Sequence, residues 1–279
     1  MWSLRNIVSD AKIPNAGGRT RCAPAGKAKG LVLGVSLAAL GSGLLPVIGR
    51  AQDDGAKTVT EAGWVSRRAA RGVEWTGPAL AGAVELRSGA CHARFDAAHP
   101  WHSGDPTLAG LGAGYERSAQ DEGPSLGVDF RQQWFSRVAA GVTRSTTEAG
   151  LQARWTLAGG LKPGLAWWHE FRRRADTVEA NLTAEYPLPA WGTYLETDAF
   201  AGWVSAGDVR PDAAGPPLRD AYGYAGAGLR LPYRIAGTPW TAVAGLRLSG
   251  SMGQNRAWSP LGHPGGAQAG VTLGISYEY

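Results

Sequence analysis

Histidines are the residues here best suited to acid–base or metal chemistry, and their spacing predicts neither. His99 and His102 lie in the segment HPWH, which could supply half of a metal site, but no further ligands follow at a useful spacing. His169 is followed by Glu170, yet the next three residues are Phe-Arg-Arg, so no His-Glu-x-x-His motif is present. The sequence therefore predicts no metal centre and no cofactor.

A serine, a histidine and an acid also occur close together, at Ser88, His92 and Glu85. Nucleophilic catalysis needs these three side chains in one hydrogen-bonded geometry, which proximity along a strand does not establish. We therefore predict no catalytic residues and no enzyme, while an enzyme that acts on lipid stays open as the least favoured alternative. Three consecutive arginines, 172–174, could bind anionic lipid headgroups, but interface anchors with snorkelling side chains are the preferred interpretation.

The segments that carry these residues alternate between apolar and polar side chains. In 270–279 the apolar residues, from Val271 to Tyr279, all fall on one side. The same alternation recurs in several earlier segments: 80–87, 91–97, 151–157, 178–186, 195–203 and 240–249. A period of two indicates strands with one apolar face and one polar face.

The length of these strands favours a membrane barrel over a soluble β-sandwich. Sandwich strands are usually about five or six residues long, whereas a tilted strand needs about 9–11 residues to cross a bilayer. We predict a transmembrane antiparallel up-and-down β-barrel, with the apolar face towards lipid and the charged face towards the lumen. The aromatic end of the last strand resembles the C-terminal signal that the barrel-assembly machinery of the outer membrane reads.

The N-terminal region has the pattern of a secretory signal peptide. Seven of the 28 basic residues and one of the 23 acidic residues lie in residues 1–51. An uncharged segment, 30–49, and a small-residue cleavage pattern, Gly49-Arg50-Ala51, follow the basic stretch. We predict a signal peptide over residues 1–51, with an extended basic region, and an exported barrel over 52–279. The barrel is nearly neutral, so the basic balance of the whole chain does not indicate a nucleic-acid partner.

The number of strands follows from the lengths of the connections. A first reading gives thirteen candidate strands: 59–71, 78–87, 90–97, 107–118, 125–132, 137–144, 149–158, 161–172, 177–186, 194–205, 221–233, 239–250 and 268–279. Single-chain bacterial barrels, however, have an even number of strands, with short periplasmic turns and longer external loops. Short and long connections can be assigned by counting from the N-terminal strand or from the C-terminal strand. The two assignments agree only if one strand, not two, occupies 125–144. We therefore predict twelve strands, with a long or bulged strand in that segment.

The two faces of the strands give the candidate site residues. The charged face predicts nine residues that line the lumen: Glu85, Arg87, Arg94, Asp96, Glu179, Glu185, Glu196, Asp198 and Arg247. Aromatic residues near strand ends predict two girdles at the membrane interfaces: Trp75, Trp101, Trp191, Tyr194, Trp240, Tyr277 and Tyr279.

The stretch 68–101 contains Arg71-Gly72, then the segment 77–80 (GPAL), and a Ser-Gly turn at 88–89. In these residues it resembles the start of the TorF-like family of outer-membrane porins. Ala70 departs from the family pattern, which has an aromatic residue there, and His92 and Arg94 stand where small or aromatic residues are commoner. The resemblance implies a small outer-membrane porin.

Together these features predict a porin-like channel in the outer membrane of a Gram-negative-type cell. Small polar solutes would diffuse passively through a charged lumen, and outer-membrane lipid and lipopolysaccharide would surround the barrel. Because the size of the lumen depends on strand number, and twelve strands lie between a filled and an open barrel, an alternative stays open. In that alternative the barrel is closed and acts as a structural or adhesive protein through the loops 206–220 and 251–266.

Overall fold

The computed structural model describes residues 57–71, 73–118, 124–138, 144–205, 221–253, 258 and 266–278 of the 279-residue chain. The predicted signal peptide, most of the two long loops named above, and Tyr279 lie outside these residues. No helix in the described ranges is long and apolar enough to cross a membrane.

Twelve antiparallel strands form a closed barrel, which confirms the predicted fold class and strand number. Numbering all strands in chain order, the wall consists of β1 (Lys57–Val65), β4 (Ala79–Ser88), β5 (Cys91–Pro100), β6 (Leu108–Ser118), β7 (Ser125–Phe135), β8 (Ser145–Arg154), β9 (Leu161–Glu170), β10 (Ala175–Leu188), β11 (Thr193–Val204), β12 (Tyr222–Arg234), β13 (Trp240–Gly253) and β14 (Gln268–Glu278). Each strand pairs with its neighbours in sequence, and β1 closes the barrel by pairing with both β4 and β14. Closure leaves no wall strand with an open edge, which is the condition for a sheet to lie in hydrocarbon.

Two short strands lie outside the wall. Strands β2 (Arg68–Ala70) and β3 (Val73–Thr76) form a separate two-stranded sheet between β1 and β4. The sequence-based reading of 59–71 as one strand was wrong here, because β1 ends at Val65 and the chain then turns into this hairpin. We call residues 68–76 the internal hairpin.

The segment 125–144 contains a single wall strand, as predicted, but that strand is regular. Strand β7 spans eleven residues and ends at Phe135, and its pairing with β6 and β8 runs without a bulge. The candidate strand at 137–144 is a connection wherever the structure describes it.

Connections of two kinds alternate around the barrel. The shorter ones, such as 89–90 and 189–192, lie at one end of the barrel, which we call the turn end. The strands β1, β11 and β13, after which the longest connections begin, end at the opposite end, the loop end, where the four-residue connection between β9 and β10 also lies. The predicted assignment of these two ends to the periplasm and the exterior stays a prediction.

The outer surface of the barrel is an apolar band. Side chains at alternate positions point outward and are exposed, and Leu165 and Leu273 in mid-wall are 52% and 53% exposed. Comparable exposure is found on most strands: Leu111, Phe130, Leu151, Val178, Leu182, Leu229, Leu246 and Ile275. Soluble monomers rarely expose contiguous apolar surface of this extent. A band of this kind is what a membrane-spanning barrel presents to lipid.

Aromatic side chains border the apolar band at both ends of the barrel. Two of the predicted girdle residues do not belong to these aromatic borders. Trp101, Trp191 and Trp240 are exposed, and the Trp240 ring lies edge-on to Tyr277 with centroids 4.6 Å apart. Other exposed aromatics near strand ends were not predicted: Tyr115, Trp134, Trp167, Phe171, Tyr186, Trp203 and Tyr233.

The predictions for Trp75 and Tyr194 were wrong. Trp75 belongs to the internal hairpin and is buried against Phe135 inside the barrel, with ring centroids 5.4 Å apart. Tyr194 shares the inward parity of Glu196 on β11, so its ring faces the lumen and not the lipid.

A charge placed in the middle of the apolar band should destabilise the barrel. We expect Leu165→Arg to lower the free energy of unfolding by about 2–4 kcal/mol, since the arginine would face hydrocarbon at mid-depth. The matched control is Leu161→Arg on the first residue of the same strand, where the expected loss is about 0–1 kcal/mol. Urea unfolding of the refolded barrel in lipid vesicles measures both. Equal losses at the two positions would show that the band does not face lipid.

Candidate functional site

The inner face of the wall carries the charged side chains. Glu85, Arg94, Asp96 and Glu196 are buried in the interior, and the other five predicted lining residues lie at intermediate exposure on the same inward parity of their strands: Arg87, Glu179, Glu185, Asp198 and Arg247. All nine predicted lining residues therefore point inward. That they border a path for solutes stays a prediction.

These charges are paired within one strand, between neighbouring strands, or between strands that are two apart in the wall. Glu85 accepts hydrogen bonds from Arg87 Nε at 2.6 Å and from Arg94 Nη1 at 3.0 Å, and Arg94 Nη2 also lies 3.3 Å from Glu61. Further contacts of this kind are Lys162 Nζ to Glu185 at 2.6 Å, Arg230 Nη1 to Glu196 at 2.7 Å, and the Tyr224 hydroxyl to Glu179 at 2.7 Å. Because both signs alternate around the wall, the interior has no strong excess of one charge.

The internal hairpin occupies the lumen in the half of the barrel nearer the loop end. At its turn, Arg71 adopts a left-handed φ of 51° and donates from Nη1 and Nη2 to both carboxylate oxygens of Glu148 on β8, at 2.7 and 3.0 Å. Burial alone would lower the pKa of the Arg71 guanidinium, but the Glu148 carboxylate raises that pKa above its ordinary value, so the side chain stays charged. At the base of the hairpin, Arg68 Nη2 donates to Asp96 on β5 at 2.6 Å. The hairpin is thus tied to two different strands of the wall.

Apolar contacts fix both sides of the internal hairpin. Val73 is 1% exposed and belongs to a buried cluster with residues of β10, β11 and β12: Ala175, Phe200, Val204, Tyr222 and Tyr224, together with Trp258. Ala70 and Trp75 belong to a second cluster on the opposite side: Ala79, Ala98, Leu108 and Phe135. The hairpin consequently bridges the lumen between the two sides of the wall.

The connection between β9 and β10 fills more of the same region. Glu170 is 2% exposed and accepts hydrogen bonds from the backbone N–H groups of Arg172 and Arg173. Arg173 is buried, with its guanidinium carbon 4.4 Å from the centroid of the Trp258 ring. Together with the internal hairpin, this contact narrows the lumen at the loop end.

A cavity of about 150 Å³ remains between the internal hairpin and the wall formed by β12, β13, β14 and β1. Six inward positions of this wall are small: Gly63, Gly245, Gly270, Thr272, Gly274 and Ser276. Charged groups of both signs also line the cavity: Glu61, Arg67, Arg68, Asp96, Arg230 and Arg247. The small residues on this arc leave space beside the hairpin.

No catalytic arrangement is formed by the candidate triad. His92 Nε2 lies 2.9 Å from Asp129 Oδ1 on β7, while Glu85 is engaged by arginines. At the loop end, His169 Nδ1 lies 3.0 Å from Asp176 Oδ1, and the nearby Ser205 Oγ accepts a hydrogen bond from the Asp176 backbone N–H. Within the described ranges, no group of three histidine, cysteine, aspartate or glutamate side chains is arranged to hold a metal ion.

No protein-family model matches the sequence, and no curated protein matches it. Solved structures with a similar fold include the KdgM porin, at 10% identity and a TM-score of 0.47, with 80% of this chain and 99% of that chain covered. The NanC porin has 8% identity and a TM-score of 0.48, with 78% and 98% covered. An outer-membrane channel from Pseudomonas putida F1 has 10% identity and a TM-score of 0.46, with 80% and 94% covered.

Proposed function

We propose that the protein is an outer-membrane channel through which small polar solutes diffuse passively. The observation that carries this proposal is the charged inner face, together with the cavity beside the internal hairpin, where charged groups and small residues lie next to apolar ones such as Val65 and Val243. An interior filled only for stability would be expected to close this space with apolar side chains. The charged groups around this cavity instead give water and hydrated solutes polar partners.

The mechanism is size-limited diffusion past paired charges. A solute enters the lumen and exchanges part of its hydration shell for contacts with the polar side chains of the wall. It leaves without any change in the conformation of the barrel wall. Because the lining combines glutamate and aspartate with arginine, we expect weak selectivity for charge. The narrow space beside the hairpin limits passage to small solutes.

We also propose that the chain is related to the TorF-like porins and is assembled through its C-terminal strand by the barrel-assembly machinery, in contact with lipopolysaccharide. The segment that resembles this family, 68–101, comprises the internal hairpin and the two wall strands that follow it. Arg71, the first residue of that Arg-Gly pair, lies at the turn of the hairpin, so the matched residues coincide with the feature that narrows the lumen.

The filled loop-end half of the barrel favours a second candidate function, a closed barrel that acts through its external loops. Liposome swelling separates the two. Vesicles that contain refolded residues 52–279 should swell in small sugars or amino acids faster than protein-free vesicles, with the rate falling steeply as solute size increases. Folded protein that leaves the swelling rate unchanged for every solute would support the closed barrel.

Charge placed in the cavity should change ion selectivity. Thr272 lines the cavity at an inward position of β14, so Thr272→Asp should shift the reversal potential in a salt gradient towards cations, and Thr272→Lys should shift it towards anions. The two variants are mutual controls, because they alter the same position with opposite sign. Shifts in the same direction, or none, would show that the cavity is not part of the conducting path.

A further inference from the structure

We infer that the internal hairpin is a displaceable plug that sets the conductance of the channel, and this inference rests on the proposed channel function. It requires a hairpin that is unnecessary for the wall, attached to the wall only by side chains, and hinged at defined points. Each of these requirements is met by the described residues.

The connection that contains the hairpin is far longer than the wall requires. Val65 at the end of β1 and Ala79 at the start of β4 are direct partners in the antiparallel ladder. A two-residue turn is sufficient to connect two such partners. The thirteen residues 66–78 are therefore not needed to close the barrel, and they fold into the lumen instead of crossing the rim.

Side chains alone hold the hairpin to the wall. In the part of the chain that the structure describes, the backbone hydrogen bonds of residues 68–76 run between β2 and β3, and the hairpin forms a sheet separate from the barrel. Two short strands of this kind are marginally stable without external contacts. The hairpin can consequently leave its position without breaking any hydrogen bond of the barrel ladder.

The hinge points lie where the connection leaves the wall. The Ser66 backbone N–H donates to the Val271 carbonyl at 2.9 Å, and the Trp101 backbone N–H donates to the Pro78 carbonyl at 2.9 Å. These bonds fix both ends of the connection to the rim, and Gly77 next to Pro78 provides a flexible position. Movement of the hairpin would therefore be a rotation about the rim at the loop end.

The Arg71–Glu148 ion pair is the contact that decides the position of the hairpin. It joins the tip of the hairpin to the opposite side of the barrel, and both side chains are buried. A hydrogen-bonded ion pair retains the tip in the lumen, whereas a neutral partner at position 148 would hold it more weakly. From the strength of hydrogen bonds to charged groups, we expect Glu148→Gln to increase the population of the displaced hairpin about tenfold.

Planar-bilayer recording of two variants tests this inference. In the first, Asn-Gly replaces residues 66–78 between the paired Val65 and Ala79, and its single-channel conductance should be severalfold that of the full mature chain. In the second, Glu148→Gln should increase the frequency of large openings while the wall remains intact. The matched control is Glu116→Gln, which removes a carboxylate near the turn end of β6 that accepts a hydrogen bond from Ser125 Oγ at 2.9 Å.

Cysteine labelling reports the position of the hairpin directly. In a Cys91→Ser background, which removes the exposed native thiol, Val73→Cys should react slowly with a water-soluble maleimide because Val73 is buried. Adding Glu148→Gln should accelerate labelling about tenfold, and adding Glu116→Gln should not. Equal labelling rates in the three proteins would overturn the role of the ion pair.

The outcomes separate the plug from the channel. Equal conductance of the shortened and full chains would overturn the plug and leave the channel standing. Larger conductance in the shortened chain than in the full chain would support both. Conductance in the shortened chain alone would support the plug and overturn passive diffusion through the full chain. Absence of conductance in both, with folded barrels confirmed by resistance to denaturation in detergent, would overturn the proposed function and the plug with it.

Discussion

Replacing Gly63 by valine should prevent normal closure of the barrel. A Cβ atom at this position would lie 2.6 Å from the Leu273 carbonyl oxygen and 2.8 Å from the Gly274 Cα atom. Both are backbone atoms of the paired strand β14, so neither can move aside as a side chain could. Overpacking generally costs about 1–3 kcal/mol, and we expect a loss at or above the upper limit because the first and last strands would have to separate.

Gly245→Val is the matched control for this substitution. Gly245 also faces the cavity, but the nearest atom to its Cβ position is 3.5 Å away, an ordinary contact distance. Refolding yield in detergent micelles and urea unfolding in vesicles should show a large loss for Gly63→Val and a small one for Gly245→Val. A Gly63→Val protein with normal stability would mean that the seam between β1 and β14 is less closely packed than described here.

Removing the carboxylate of Glu148 should produce the second large effect. Glu148→Met leaves the Arg71 guanidinium without its ion-pair partner, and breaking a buried pair in this way generally costs about 3–5 kcal/mol. We expect a loss near 3 kcal/mol, because displacement of the hairpin would let the guanidinium regain water. The free energy of unfolding from urea titration in vesicles measures this loss.

The double variant Arg71→Met/Glu148→Met separates the charge from the packing. Two apolar side chains of similar volume remove the unpaired charge, so most of the lost stability should return. A double variant as unstable as the single one would show that the shape of the pair matters more than its charge. In either case the measurement gives the strength with which the hairpin is held.

The fold could be predicted from the sequence because the physical constraints on a membrane barrel are strict. The alternation that ends at Tyr277 and the alternation around Glu179 both fix which side chains face lipid, and the structure follows that parity. An even strand number and alternating connection lengths were sufficient to reject a second strand in 125–144. Tyr194 was misassigned to the girdle because its aromatic character was given more weight than its position. It lies two residues before Glu196 and therefore on the same, inward face of β11.

The internal hairpin could not be predicted from local patterns. Apolar and polar residues alternate only weakly in the segment 66–78. Its arginines are equally compatible with a loop and with the end of β1. Its position depends on Glu148, which lies 77 residues away from Arg71 along the chain. Contacts of this kind become visible only when the barrel has closed and brought β8 opposite the hairpin. For the same reason Trp75 was predicted to be a girdle residue, although it is buried inside.

Several interior charges were also missed: Glu61, Asp129, Arg131, Glu148 and Arg230. Parity could have identified Asp129 and Arg131, which alternate with the exposed Val128 and Phe130 on β7. Glu148 was missed because the predicted strand began at residue 149, and strand boundaries depend on pairing partners that the sequence does not show.

The most direct test of the channel is single-channel recording from refolded residues 52–279 in a planar bilayer, after the barrel has been shown to resist unfolding in detergent. We predict small, stable conductance steps, with a reversal potential close to zero in a salt gradient because the lumen is lined by paired charges of both signs. A folded barrel that inserts but gives no steps at any voltage would contradict the account, and would identify the protein as a closed barrel whose function lies in its loops.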